Sequence, residues 1–369
     1  MILLITICLA ALGYQLVAIA ATIKHLSRRD QQTGHTPPIS ILKPVHGLDP
    51  GFLDALRSHA SQQYPEFEIL FGVSDPDDAA IPAIESLQRE FPAVPIQLIR
   101  APRSGGNAKT GVLAELARRA RHPVLLVNDS DIRVSPGYLL TIAAPLVDPD
   151  VGLVTCLYRA WSESMPGIWE AVGIATDFAP STLVAPFVGV KEFGLGSTLL
   201  FRAADLKAIG GFAAIADYLA DDYQLAKRIT QLGKRVQLSR LVVETGLQGD
   251  SWRGVWDHQV RWHRTIRVSR GAYAGLPVTH ATLWAVAAAL AGMWWMSLAL
   301  LAARMTMGLL AGIGVLQCPL VKRWFWIIPA RDLWGSAVWA AGLFGNTVRW
   351  RDQVLELDSE GRIIHIGSR

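Results

Sequence analysis

Val124-Leu125-Leu126-Val127-Asn128-Asp129-Ser130-Asp131 reads as a short strand that ends in two carboxylates. A short apolar run of this kind is a strand signal. Runs of the same kind lie upstream at Ile39–Val45, Phe67–Ser74 and Ile96–Arg100. Helix-length stretches fall between them, around Phe52–Gln62, Ala79–Phe91 and Ala108–Arg121. This rhythm predicts βαβ units and an α/β domain with a mostly parallel sheet. Val151–Tyr158, Leu195–Phe201 and Val236–Val243 are predicted as further strands, which extends the domain over residues 39–250.

Outside that region the composition changes. The 369 residues are 51% hydrophobic and 18% charged, against about 25% charged in an average soluble domain. That balance excludes a disordered chain and argues against a wholly soluble one. Residues 1–23 carry no charged side chain, residues 281–321 carry only Arg304, and eight of the 13 tryptophans lie beyond residue 280. Both segments exceed the roughly 20 residues needed to cross a bilayer.

Met1–Ile23 lacks the basic start of a signal peptide, and its charges follow instead at Lys24, Arg28 and Arg29. It is expected to be a retained anchor, with the basic flank and the sheet domain facing the cytoplasm. Residues 24–38 are a basic linker closing in Pro37-Pro38, and residues 251–276 a basic and aromatic helix at the interface. Residues 277–350 form a C-terminal membrane region of a multi-pass protein, and 351–369 a tail. Within that region Thr282–Ala303 is predicted as a spanning helix and Met305–Val321 as a shorter candidate. Trp324–Val348 is interrupted by Arg331-Asp332 and is expected to be re-entrant or interfacial.

The net charge of +4 suits an anionic membrane surface or a phosphorylated ligand. Because the basic residues gather beside the apolar segments, nucleic acid is not the expected partner. Cys8, Cys156 and Cys318 are too far apart for a disulfide framework or zinc spacing, which points to a reducing compartment.

Three acidic sites carry the candidate chemistry. Asp75, in Ser74-Asp75-Pro76-Asp77-Asp78, follows one strand, and Asp129-Ser130-Asp131 follows another. In open α/β sheets ligands bind beyond the carboxyl ends of strands. A D-x-D there offers oxygens to a hard cation that bridges a diphosphate, or else makes an Asx-turn that ends the strand. Asp221-Asp222 opens the helix-like run to Leu232, where one carboxylate serves as a cap and the other is free to act as a general base. Gly105-Gly106-Asn107-Ala108-Lys109 opens another helix and suits either a phosphate, the acid-rich site or a tight turn. Trp252–Arg270 carries Arg253, Arg261, Arg264, Arg267 and Arg270 with three tryptophans. It reads as an interfacial helix or as a place where a leaving diphosphate meets a lipid-borne acceptor.

In this order, with Arg261-Trp262 and membrane helices following, these sites resemble the inverting membrane glycosyltransferases of the GT-A fold. Their pattern is three acidic sites and then (Q/R)xxRW. Within that group the chain is similar to the ceramide glucosyltransferase family and its bacterial relatives that glycosylate hopanoids. The resemblance rests on Ile41-Leu42-Lys43-Pro44, Ser74–Asp78, Asp129–Val134, Ala220-Asp221-Asp222-Tyr223 and His258-Gln259-Val260-Arg261-Trp262, and on Gly196 through Phe212. The first position of the last motif departs from the pattern, being His258.

The resemblance implies a GT-A domain, Rossmann-like and mostly parallel, flanked by transmembrane helices. It further implies that Asp75 helps hold the uridine of a UDP-sugar. Asp129 and Asp131 bind Mg²⁺ or Mn²⁺ and the diphosphate, with Asp131 foremost as the metal ligand. Asp222 is the base, Arg261 and Lys109 contact the diphosphate, and Trp262 and His258 belong to the acceptor side. The implied reaction moves a single hexose to a lipid hydroxyl: glucose to ceramide on one branch, N-acetylglucosamine to a hopanoid on the other. A processive polysaccharide synthase and a non-catalytic, membrane-anchored nucleotide-binding protein are the competing readings.

Overall fold

The computed structural model describes every residue except 30–32, 50, 102–104, 248–250, 270–272, 351–352 and 369. Arg270 and the middle of the 24–38 linker therefore lie outside the described residues. The chain divides into two compact units, Arg29–Tyr158 with Val190–Gly246, and Met1–Arg28 with Arg159–Gly189 and Leu247–Arg369.

The first unit is built on a seven-stranded sheet. Its strands are β1 (Ile39–Val45), β2 (Phe67–Val73), β3 (Ile96–Arg100), β4 (Val124–Val127), β5 (Val151–Trp161), β6 (Leu199–Arg202) and β7 (Arg235–Gly246). They lie in the order β3-β2-β1-β4-β6-β5-β7. β1 pairs in parallel with β2 and β4, and β2 with β3, while β6 runs antiparallel to both β4 and β5. The mostly parallel sheet expected from the sequence is therefore present.

Side-chain alternation explains why the strands read as continuous apolar runs: each face is covered. Ile39, Ile41, Ile69, Phe71 and Leu126 pack under the helices Phe52–Ala60 and Ile81–Glu90. Leu42, Leu70, Leu125 and Val127 pack on the other face, under Ala108–Arg119 and Asp221–Gln231. Gly72 allows the helix Ala108–Arg119 a close approach to the sheet, since a Cβ there would stand 2.4 Å from Val112 Cγ1. No side chain fits at that distance.

The second unit is largely helical, and among its described residues two helices are long and apolar enough to cross a membrane, Ile2–Ser27 and Trp294–Val315. A third span arises if the pair Tyr273–Thr279 and Ala281–Leu290, bent by 65°, counts as one.

The stretch Thr282–Ala303 is not the single helix its composition suggests. The chain turns at Gly292, which adopts φ +76°. Gly292 N–H donates to the Ala289 carbonyl and Met293 N–H to the Ala288 carbonyl, a Schellman ending. The next helix then starts at Trp294 and runs through Met305, so Met305–Val321 is not a separate element either.

Arg331 and Asp332, which interrupt the last apolar stretch in sequence, are buried within the helix Ile328–Gly342. Asp332 accepts from Arg304 Nε at 2.8 and 3.0 Å, and from the Thr282 N–H and hydroxyl.

Two features escaped the sequence reading. Met165–Phe187, inside the range expected for the sheet domain, is helical throughout with a π-helical turn at Ile174–Phe178. It belongs to the helical unit. The expected tail contributes two strands to a three-stranded antiparallel sheet whose first strand precedes it: β8 (Thr347–Trp350), β9 (Gln353–Leu357) and β10 (Ile363–Ser368).

Candidate active site

The strand order reverses at β1. The chain steps outward through β2 to β3, then returns to β4 on the opposite side of β1. The connections beyond the carboxyl ends of β1 and β4 part there and leave a crevice, the usual ligand position in open α/β sheets. Asp129 and Asp131 follow β4 at this edge.

Asn128, at the end of the apolar run, is buried and anchors the strand end. Its amide nitrogen donates to the Ser197 carbonyl at 2.6 Å and to the Tyr138 hydroxyl at 2.9 Å, and its oxygen lies 3.3 Å from His59 Nε2. The loop it grips also supplies Gly196, whose N–H donates to Asp222 Oδ2 at 3.1 Å. Thr245 at the end of β7 donates its hydroxyl to Asp131 Oδ2. β7 is held there by paired backbone bonds between Arg133 and Glu244.

Two lysines neutralise this acidic edge. Lys109 Nζ lies 2.8 Å from Asp129 Oδ1 and 3.2 Å from Asp221 Oδ2. Burial alone would lower its basicity, but Asp129 and Asp221 outweigh it and keep the ammonium charged well above its ordinary range. Lys43, fully buried in β1, donates to the Asp129 carbonyl at 3.0 Å. Burial pulls it down to about 7 against the attraction of Asp131 and Asp129.

The glycine-led stretch before Lys109 serves the acid-rich site through that side chain. Its backbone makes a turn: Asn107 Oδ1 caps the helix on Lys109 N–H at 3.0 Å, and Gly106 N–H donates to Asp217.

Asp221 and Asp222 are the first two residues of their helix, and the capping position is Ala220, which offers no side-chain bond. Neither carboxylate is the cap that the sequence also allowed. Asp221 is spent on Lys109. Asp222 accepts from Gly196 N–H and from Tyr223 N–H at 2.7 Å. Burial first, then the neighbouring Asp221, raises Asp222 to about 6, with Lys109 opposing. Burial and then Asp129 raise Asp131 to about 6 as well.

Lys109, Asp129, Asp221 and Asp222 thus form one connected cluster, with Asp131 beside it. Asp75 lies at the same carboxyl edge, exposed, and its carboxylate accepts the Asp77 N–H at 2.9 Å. In that acidic run the buried member is Asp78, which ties down the loop after β1 through Gly47 N–H at 3.0 Å.

Sequence reasoning passed over Lys43, Asn128, Thr245 and Asp78 as site residues. Only Asn128 carried a local signal, as the polar residue that closes the central apolar run.

Among the described residues no three His, Cys, Asp or Glu side chains gather into a metal cage. Two carboxylates at one strand end still fit a hard cation that takes its remaining ligands from phosphate and water, as Mg²⁺ commonly does.

His258, Arg261 and Trp262 lie in the helical unit on the helix Trp252–Ser269. His258 Nδ1 stands 2.7 Å from Glu170 Oε1, and its ring 4.6 Å from that of Trp262. Gln259, the neighbour that could have filled the first motif position, is buried and accepts from Trp334 Nε1 at 2.7 Å. Arg264 and Arg267 donate to the carbonyls of Phe344 and Leu343, so these two cations are engaged in holding the chain before β8.

Comparison with known proteins agrees with this architecture. The chain is 28% identical over 227 residues to ceramide glucosyltransferase 1 of Caenorhabditis elegans, covering 61% of this chain and 48% of that protein. It is 32% identical over 114 residues to the ceramide glucosyltransferase of Candida albicans, covering 27% and 21%. The chain therefore spans about half the length of the first of these relatives. Among solved structures, the mannosyltransferase PcManGT from Pyrobaculum calidifontis, in complex with GDP-Man and Mn²⁺, superposes with a TM-score of 0.57 at 18% identity. That match covers 92% of this chain and 96% of the other, and the GT-A fold expected from the motifs is met. The profile of glycosyl transferase family 21 matches residues 3–363, and the chain belongs to that family.

Proposed function

We propose that the protein is a membrane-bound inverting glycosyltransferase that moves a single hexose, glucose in the first instance, from a UDP-sugar to the hydroxyl of a ceramide-like lipid. The observation that carries this reading is the state of Asp222. It is a half-buried carboxylate held by the Gly196 N–H and raised to about 6, beside a Lys109–Asp129–Asp221 cluster at the carboxyl edge of the sheet. The family relatives named as ceramide glucosyltransferases, and the Mn²⁺ and sugar nucleotide in the PcManGT complex, support the choice of donor class, metal and acceptor.

Inversion requires one in-line displacement at the anomeric carbon. Asp222 takes the proton of the lipid hydroxyl as that oxygen attacks. Lys109 sets a fixed positive charge among the carboxylates, beside Asp129, on the side of the leaving diphosphate. A divalent cation held by Asp131 and Asp129 would supply Lewis-acid neutralisation of the departing UDP. Asp75 is proposed to take the uridine. Arg261 is proposed as a further diphosphate contact and Trp262 as an acceptor-side residue, both from the sequence motif. Met1–Ile23 is proposed as the anchor, with the sheet unit on the cytoplasmic side.

Two expectations follow from the geometry. A carboxyl raised to about 6 is protonated, and idle as a base, below that pH. At saturating metal, kcat/KM should therefore climb as pH rises through about 6 and level off above it. A profile flat between pH 5 and 8 would remove Asp222 as the base. Gly196→Ala places a Cβ 2.9 Å from Asp129 Oδ2. Because the obstacle is a side-chain end, the Asp129 carboxylate should move, raising the donor KM on the order of tenfold or more with melting little changed.

The reading is tested by offering the detergent-purified chain UDP-glucose or UDP-N-acetylglucosamine with ceramide or a hydroxylated hopanoid, and identifying products by mass and anomeric configuration. One sugar per lipid, with inverted configuration, supports it. A polymer that lengthens with time overturns it.

A further inference from the structure

Two helices of the helical unit, Ile2–Ser27 and Trp294–Val315, run in the same direction. Cys8 and Ala11, in the first half of one, cluster with Met296 and Leu300 in the first half of the other. At the far end Leu26 packs on Gly314, where a Cβ would stand 3.4 Å from Leu26 Cδ1. Ala281–Leu290 runs the opposite way: Gln15 Nε2 donates to the Thr279 carbonyl and Cys8 Sγ to that of Trp284. The two same-direction helices therefore finish at one level. Lys24 lies in the last turn of the first, and Lys322-Arg323 follow the second.

The short helix Pro319–Trp324 folds back at that level, because Val321 fills the notch at Gly312, where a Cβ would stand 2.9 Å from its methyl carbons. Leu320, Trp324, Ile327 and Ile328 pack with Ile168 and Val172. The other face turns outward, with Lys322 and Arg323 exposed, Phe325 43% exposed and Trp326 60%. The Arg323 guanidinium lies 5.6 Å from the Trp324 ring, and Lys24 Nζ 5.3 Å from the exposed ring of Phe187. A cation on an apolar stem beside an aromatic ring suits the boundary between lipid tails and headgroups. Other cations of this unit are held by the chain itself: Arg159 by the Leu316 carbonyl, Arg264 and Arg267 by carbonyls before β8, Arg304 and Arg331 by Asp177. No carboxylate among the described residues pairs with Lys24, Lys322 or Arg323. Their charge complements an anion at that level, whereas a second copy on this face would bring like charges together.

We propose that Lys24, Lys322 and Arg323, with the aromatic rings beside them, form a contact surface for acidic phospholipid headgroups. The surface gathers such lipids around the ends of both helices and holds the helical unit at one depth. This contact is separate from sugar transfer, and neither donor nor acceptor enters its test.

The test places the purified full chain in nanodiscs of phosphatidylcholine with a minor share of phosphatidylglycerol. Native mass spectrometry then reads which lipids stay bound. Phosphatidylglycerol should be retained severalfold above its share, and raising the ionic strength before release should weaken that preference. Lys24→Gln, Lys322→Gln and Arg323→Gln should each lower the preference up to about fivefold, and the triple variant should abolish it. Arg118→Gln, which removes an exposed cation of the sheet unit, should leave it unchanged. Charge reversal by Lys322→Glu with Arg323→Glu should turn the preference towards phosphatidylcholine, which a folding defect would not do. A wild-type preference no greater than that of the triple variant overturns the proposal, as does an equal loss in Arg118→Gln. A protein dimer that forms in place of lipid retention, and dissociates in the triple variant, overturns it as well.

Discussion

Asp222→Asn is expected to lower kcat by roughly 10²–10⁴-fold, the usual contribution of a positioned general base. The substitution keeps the size of the side chain, and its carbonyl oxygen can still accept the Gly196 N–H that holds Asp222 now. What disappears is the ability to take a proton. UDP-sugar affinity, measured by isothermal titration, should therefore stay near the wild-type value. Asp222 does not sit at the capping position of its helix, so loss of helix stability is not the expected source of any defect. Equal losses of binding and turnover would instead give Asp222 a structural role.

Asp131→Ala is the second large effect. Its carboxylate is oriented by the Thr245 hydroxyl and stands next to Asp129, the pair proposed above to hold the cation. Removing it should abolish saturable Mn²⁺ binding at micromolar concentrations and lower turnover on the order of 10³-fold, several kcal/mol of lost charge neutralisation. Raising the metal concentration should recover little. Thr245→Val, which keeps the carboxylate but frees its orientation, should weaken Mn²⁺ binding by about 10–100-fold, the usual cost of an outer-shell partner. Unaltered Mn²⁺ binding in Asp131→Ala would place the metal elsewhere.

Much of the sheet could be read directly from residue pattern. Ile39–Val45 and Ile96–Arg100 form strands with the expected bounds; the first is buried along almost its whole length, so its apolar run is as long as the strand. The doublets Asp129/Asp131 and Asp221/Asp222 were legible for a related reason: a carboxylate at the end of a strand or the start of a helix stands out against the apolar residues beside it.

What was not legible depends on distant partners. A lysine in β1 looks like a solvent-facing residue. Lys43 is buried because the carbonyl it serves, Asp129, lies 86 positions later. Glu170 becomes the partner of His258 across 88 positions. Met165–Phe187 shows helical character, but whether an apolar helix packs on the sheet or among other helices is a tertiary outcome. Thr282–Ala303 misled because hydropathy measures length and not direction. A single glycine at positive φ is enough to reverse the chain.

The most direct test of the central claim is UDP release by the purified chain from UDP-glucose with Mn²⁺, measured with and without ceramide. The account predicts release that rises with added lipid, falls to background on chelation, and is lost in Asp222→Asn. Release that is indifferent to every lipid offered, or tight UDP binding with no turnover at all, would contradict it and leave a nucleotide-binding membrane protein in place of a transferase.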